Sequence, residues 1–279
     1  MGIHDQGYRT FKGKIGGRFD RIWAIFIQDF TFRIKQRWTI VLMILTYTLG
    51  VLPTVLLTYF MFIPAIIFGD ENPDVIFLLY FSLLFIWVII YTSFVGSSII
   101  SNDMRNNAVI LYFSRPLTQL DYFLGKFLSL FTLVLMVTLI PGLLISVSIL
   151  GLTTETLLEL IDIPRTVFTF IAISIVVAVC LTSVAILVST LTKKNLYAGV
   201  GIFTIIFFSS LIAEFFSTII HDNFMYVSIW TNFQIIADDW SGIDSFYQYD
   251  WYISSIVVLA FTIVPLVLTW RMIKRVEVI

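Results

Sequence analysis

Charge is scarce in this chain. Only 13% of its 279 residues are Asp, Glu, Lys or Arg, against about 25% in a soluble globular protein. Cysteine is scarcer still. Cys180 is the only one, which excludes a disulfide framework and a CxxC metal site. It stands in an apolar run, where a packed thiol is expected. The two histidines, His4 and His221, fall on opposite sides of the membrane in the topology argued below. A histidine metal centre or proton relay is therefore not expected, and no metal ligands are assigned. No G-x-S-x-G, H-E-x-x-H or G-x-x-x-x-G-K-[ST] run occurs. Gly125-Lys126 is followed by Phe127 and lacks the earlier glycine, so the chain has no P-loop with which to bind nucleotide itself. The expectation is a protein that is not an enzyme on its own and binds no cofactor. A formal net charge of -1 gives no general attraction to a polyanion, so nucleic acid is not an expected partner.

Apolar surface is what the chain has in excess. Its residues are 59% hydrophobic and its mean hydropathy is +0.97, a composition that needs lipid as solvent. Six runs are long enough to cross a bilayer, 39–63, 76–100, 127–150, 167–190, 197–216 and 253–270, since a spanning helix takes about 17–25 residues. The basic residues sort by side. Arg9, Lys12, Lys14, Arg18, Arg21, Arg33, Lys35 and Arg37 precede the first run. Arg105, Arg115 and Lys126 lie between the second and third, Lys193 and Lys194 between the fourth and fifth, and Arg271, Lys274 and Arg275 after the sixth. The alternate connections hold Arg165 alone, among acids such as Asp70, Asp74, Glu155, Asp162, Asp222, Asp239 and Asp250. Basic loops stay cytoplasmic, so both termini are expected inside a plasma membrane, which requires an even number of spans. The first 38 residues contain no early apolar core, and insertion is expected to start at the first span.

The organisation expected is thus an all-α integral membrane domain over 1–279: a cytoplasmic tail 1–18, an amphipathic interfacial helix 19–38, a six-helix bundle 39–270 and a cytoplasmic tail 271–279. In 19–38, Phe19, Ile22, Trp23, Phe26, Phe30 and Ile34 recur at helical spacing, while Asp20, Arg21, Gln28, Asp29, Arg33, Lys35 and Arg37 occupy the other side. That pattern suits a helix lying in the membrane interface. The outer segment 220–252 carries ten aromatic residues, including Phe224, Tyr226, Trp230, Phe233 and Trp240. A disordered loop would lack them, so short helices folded back on the bundle or lying in the interface are expected. Thr156-x-x-Glu159 matches a capping box. Pro53, Pro141 and Pro265 fall inside spans, where packing kinks are expected. The rows Ser174, Ala178, Thr182 and Ser93, Ser97 suit close helix approach. Glu214, late in the fifth run, is a candidate for lining a pathway, because a carboxylate at membrane depth is costly; an interfacial acid or helix cap is the other reading.

One cytoplasmic stretch, 100–126, mixes polar and apolar residues in a patterned way. Ala108, Leu111 and Tyr112 share a helical face, and Pro116 ends the helix because the residue before proline avoids the α region. The positions Ile100-Ser101-x-Asp103, Arg105, Asn107-Ala108, Leu111-Tyr112, Ser114-Arg115-Pro116 and Gly125-Lys126 resemble the signature of ABC-2 type transporter permeases. Asn107 and Ala108 depart from that pattern, which more often has glycine and threonine there. The layout is similar too: a connecting helix, six spans, a coupling helix after the second and a long outer segment before the sixth, the type V exporter-like arrangement.

The resemblance implies one half of a dimeric permease, paired with a second copy or a paralogue and driven by a separate ABC ATPase that holds ATP and Mg. It makes 101–116 the coupling helix, with Asp103, Arg105, Asn106, Asn107, Leu111, Tyr112, Arg115 and Pro116 at the ATPase contact. Segment 19–38 becomes the connecting helix. Arg33, Lys35 and Arg37 end that helix at the same depth as Asp103 at the end of the second span, so Asp103 is expected to pair with one of them, Arg37 foremost. The alternative reading is a membrane module that transports nothing and relays ATPase motion to an outer partner through 221–252. Few polar residues are available to line a path, which slightly favours a hydrophobic or amphipathic cargo.

Overall fold

Backbone groups in lipid must find partners within the protein, and this chain satisfies them with helices. The structure is a computed structural model that describes residues 17–56, 60, 74–108, 117–152, 162–242 and 249–276. Among these residues every regular element is helical. They are α1 (Arg18–Ile34), α2 (Arg37–Leu45, passing into a π-helical stretch Thr46–Val51), α3 (Asp74–Ser97), the short α4 (Ser101–Arg105), α5 (Gln119–Leu152), α6 (Asp162–Leu191) and α7 (Asn195–Ile219). A 3-10 turn, Asp222–Val227, then leads to α8 (Ile229–Ser241) and α9 (Trp251–Val276). Six of these are long and apolar enough to cross a membrane: the helix beginning with α2, α3 running into α4, and α5, α6, α7 and α9. This is the architecture of a multi-pass, all-α membrane protein. Residues 109–116 and 153–161, which include Leu111, Tyr112, Arg115, Pro116 and the Thr156-x-x-Glu159 motif, lie outside the described residues.

Helix α1 is shorter than the sequence pattern predicts. It stops at Ile34, and Gln36 adopts an extended conformation (φ -68°, ψ 127°) before α2 begins. Arg37 and Trp38 therefore open the first span rather than close α1. The two faces expected of α1 are in fact three. Phe19, Trp23 and Ile27 are exposed and apolar; Asp20, Ala24 and Gln28 are exposed on the next sector; Ile25 and Arg33 are buried, with Asp29 largely covered. The last sector packs on α5. Gly125 permits that approach, since a Cβ there would lie 2.6 Å from Ile25 Cγ2 and 2.7 Å from Ile25 Cβ.

The bundle core is built around α6, which touches α3, α5, α7, α8 and α9. Small residues set the spacing. Ser174, Ala178 and Thr182 are all buried, and Thr138 and Ser174 exchange hydroxyl-to-carbonyl bonds between α5 and α6 at 3.4 and 3.3 Å. An added Cβ on Gly96 would sit 2.8 Å from Ala185 Cβ, and one on Gly199 would sit 3.3 Å from the Ser93 carbonyl.

Helix α8 folds into the bundle. Its N-cap Ser228 meets Ser210 at 3.1 Å, and Ile229 N–H reaches Ser209 Oγ at 3.5 Å. Ser209 lies ten residues before the end of α7 at Ile219, which is about 15 Å of helix rise. The first turn of α8 thus sits well below the end of α7. Trp230 contacts Phe85 of α3 with ring centroids 4.8 Å apart. At the other end Gly242 takes a left-handed conformation, φ 78°, as a C-terminal cap does. Arg165 of α6 donates to the carbonyls of Trp240 and Asp239 there.

The bundle has one basic end, holding α4, Lys193, Lys194 and Lys274, and one acidic end, holding Asp162, Asp222 and Asp239. The expected outcome of labelling follows from the positive-inside rule. In a Cys180→Ser background, single cysteines at Asp162 and Asp239 react with an impermeant thiol reagent added outside, and one at Lys193 reacts only after permeabilisation. Outside labelling at Lys193 would reverse the orientation.

Candidate functional site

At the basic end, four elements meet around a set of buried charges. Thr118 caps α5: its hydroxyl accepts from Asp121 N–H, and Asp121 Oδ2 accepts from Thr118 N–H, both at 3.3 Å. This reciprocal box fixes the start of the third span. It also turns the buried Asp121 carboxylate toward α1, where Arg18 pairs with it at 3.0 Å and Arg21 at 3.7 Å.

One turn further along α5 lies Lys126, 4% exposed. Its Nζ donates to Asp29 of α1 at 2.7 Å and pairs with Asp103 of α4 at 2.9 Å. Asp29 also accepts from Arg33 Nε at 2.7 Å and from Ser129 Oγ at 2.8 Å. Asp103 accepts from Tyr122 Oη at 2.8 Å. Arg33 spends its remaining donors on α3, reaching Val95 O at 3.0 Å, Ser98 Oγ at 2.7 Å and Ser98 O at 3.2 Å.

The four charges Asp29, Arg33, Lys126 and Asp103 sum to zero. Burial alone would raise the Asp29 pKa, but the charges and hydrogen bonds of Arg33 and Lys126 outweigh it and hold the carboxyl below its ordinary value. With the folded value depressed, its contribution to stability is present above the unfolded value of about 4 and is lost as pH falls through the folded one. The Asp29 carboxyl is therefore charged at neutral pH. A buried ion set of this kind orients elements more than it stabilises them.

The pairing expected between Asp103 and the end of α1 is corrected by this geometry. Asp103 pairs with Lys126, and its link to Arg33 runs through Lys126 and Asp29. Lys35 and Arg37 are exposed and form no ion pair among the described residues. Helix α1 ends at Ile34 and Arg37 opens α2 at an exposed position, while Arg33 is buried one turn after Asp29.

The other site residues are placed as follows. Arg105 is exposed and donates to Asn102 Oδ1 at 2.9 Å; Asn106 is exposed and caps α4. Asn107 has φ 53°, a left-handed conformation that glycine and asparagine adopt most readily. Glu214 is exposed, flanked by Leu211, Ile212 and Phe215 on the outward surface of α7. It lines no interior path through the single chain, because the buried face of α7 is Ala198, Ile202, Ile206, Ser209 and Ala213.

Asp29, Lys126, Tyr122 and Asp121 were the residues that sequence reasoning did not assign to the site. Two signals in the sequence point to them: Asp29 and Arg33 stand at i, i+4 on the helix face that packs inward, and Thr118-x-x-Asp121 reads as a capping box.

Ser189 of α6 completes the site. Its hydroxyl accepts from Ile100 N–H and Ser101 N–H, both at 3.0 Å, and donates to Ser97 O at 3.2 Å. Ser101 Oγ donates to Asn195 Oδ1 at 2.8 Å, which ties α4 to the start of α7. Among the described residues no group of His, Cys, Asp and Glu could hold a metal ion. Compared with known protein families and curated proteins, the chain matches no family model and no curated relative.

Proposed function

We propose that this chain is the membrane subunit of an ABC-2 type transporter, an exporter permease driven by a separate ATPase that docks on its cytoplasmic, basic end. One observation carries the reading. The two parts of the signature, Ile100-Ser101-x-Asp103 and Gly125-Lys126, are far apart in sequence yet join through the Asp103–Lys126 pair at 2.9 Å, and α1 binds the same lysine through Asp29. A load on α4 therefore reaches the second span, the third span and the connecting helix together, which is what a coupling element requires. In this reading the functional unit pairs the chain with a second copy or a paralogue in the plasma membrane, both termini lie in the cytoplasm, and ATP and Mg sit on the ATPase. The relay alternative needs an outer surface for a partner. It is disfavoured because α8, the longest described helix of the outer segment, buries nine residues including Trp230, Phe233 and Ile236.

The test is whether a neighbouring reading frame encodes a P-loop ATPase, followed by co-expression with that ATPase. Tyr112→Ala with Arg115→Ala is expected to weaken ATPase binding by about 2 kcal/mol, roughly 30-fold, and to uncouple hydrolysis from transport, while the bundle stays inserted. Thr153→Ala, in the connection that the charge pattern assigns to the outside, is the control and is expected to leave both unchanged. Full ATPase binding and coupling in the double variant would remove the proposed docking site.

A further inference from the structure

The turn between α3 and α4 is held open by two side chains that belong to neither helix. In a continuous helix the N–H of Ile99 would bond to Val95, that of Ile100 to Gly96 and that of Ser101 to Ser97. Here Ile99 N–H donates to Gly96 O at 3.1 Å, and the next two donate to Ser189 Oγ. The carbonyls so released are taken up from outside. Val95 O and Ser98 O receive Arg33 of α1, and Ser97 O receives Ser189 of α6; the hydroxyls of Ser98 and Ser101, within the segment, also reach Val95 O and Ser97 O. Ser189 accepts twice and donates once, the full capacity of a hydroxyl. Arg33 is 4% exposed. Buried backbone groups left unpartnered are costly: without Ser189 the N–H groups of Ile100 and Ser101 lose their acceptor, and without Arg33 the Ser98 carbonyl loses its donor, so the open turn depends on both side chains. The sequence at the turn, Gly96-Ser97-Ser98, has weak helix preference, and neither the open nor the closed form is imposed locally.

We infer that residues 95–102 are a two-state element. The segment is a broken turn while Arg33 and Ser189 cap it, and becomes one helix running from α3 into α4 once they withdraw and the i→i+4 bonds close. Closure re-aims α4 and the Asn106–Asn107 turn, and it parts Asp103 from Lys126. Because Arg33 is carried by α1, a displacement of α1 is the natural trigger. The inference does not depend on the permease reading; it concerns which elements hold the turn.

The test uses the full chain in lipid nanodiscs in a Cys180→Ser background. Spin labels at Asn106→Cys and Leu196→Cys, both exposed positions, report α4 against the start of α7. A second pair at Leu191→Cys and Lys274→Cys reports the frame of the fourth and sixth spans. Arg33→Lys keeps a cation for Asp29 but cannot span the Val95 and Ser98 carbonyls, and Ser189→Ala removes the other cap. Each is expected to add a second distance population between 106 and 196, displaced by about 5 Å, one helical turn. The frame distance stays fixed, and Ser189→Thr, which keeps the hydroxyl, restores the single population. An unchanged 106–196 distance in both cap variants overturns the inference. So does equal broadening of both label pairs, which would mean general loosening.

Discussion

Methionine in place of Lys126 is expected to cost the folded chain about 3–5 kcal/mol, the largest single effect anticipated outside the apolar core. The lysine is 4% exposed and serves two carboxylates, Asp29 and Asp103. Methionine fills its volume and removes its charge. Asp29 keeps Arg33, but Asp103 is left with the Tyr122 hydroxyl alone among the described residues. The loss comes from a stranded charge, so removing that charge returns most of it. The pair Lys126→Met with Asp103→Asn leaves a balanced Asp29–Arg33 pair and is expected to recover more than half of the stability. Unfolding in mixed micelles with rising SDS measures both variants. A cost below about 1 kcal/mol for the single variant would put Lys126 in the class of exposed pairs and contradict the buried cluster.

Gly125→Ala is expected to lift α1 from α5. The added Cβ meets Ile25 at 2.6 and 2.7 Å and the carbonyl of Ile22 at 3.3 Å, and the nearer atoms belong to a β-branched side chain with little freedom to turn away. Overpacking of this kind costs about 1–3 kcal/mol. The α1 ion pairs lengthen with it, because Asp29 and Arg33 ride on the same helix. Cysteines at Arg18 and Asp121, whose native side chains pair at 3.0 Å, are bridged by a short bifunctional thiol reagent in the parent and several-fold more slowly in Gly125→Ala. Ile25→Gly removes both opposing atoms and is expected to restore the rate in part, against its own helix penalty of about 1 kcal/mol. An unaltered cross-linking rate in Gly125→Ala would mean that α1 is not seated against this glycine.

The spans were legible because hydropathy and length report directly on solvent, and the small-residue rows because burial of Ser174, Ala178 and Thr182 follows helical spacing. The charged cluster was only half legible. The pattern placed Asp29 and Arg33 on the face of α1 opposite its apolar stripe, which is right in azimuth. Azimuth says nothing of what lies beside the helix, and here it is α5 rather than water. Lys126 read as a loop charge just before the third span, yet α5 starts at Gln119 and carries it about two turns into the helix. The inward path of α8 was not encoded in any period. Its aromatic residues announce an ordered segment, while its direction is set by Ser228 meeting Ser210 and by Arg165 at its far end, contacts between residues distant in sequence.

That inward path constrains how the protein is made. Helix α8 has thirteen residues, too few to cross a bilayer of about 30 Å, and it carries Asn232, Gln234 and Asp238 on buried positions. It cannot enter lipid as an independent unit, since those side chains would have no polar surroundings there. Its seat is lined by α3, α6, α7 and α9, and α9 leaves the ribosome after it. The segment therefore waits outside the membrane until the sixth span has inserted, and only then drops into place. Assembly therefore includes a step that runs against chain order, and a nascent chain stopped before Trp251 would leave Trp230 and Phe233 without the α9 part of their seat and open to proteolysis.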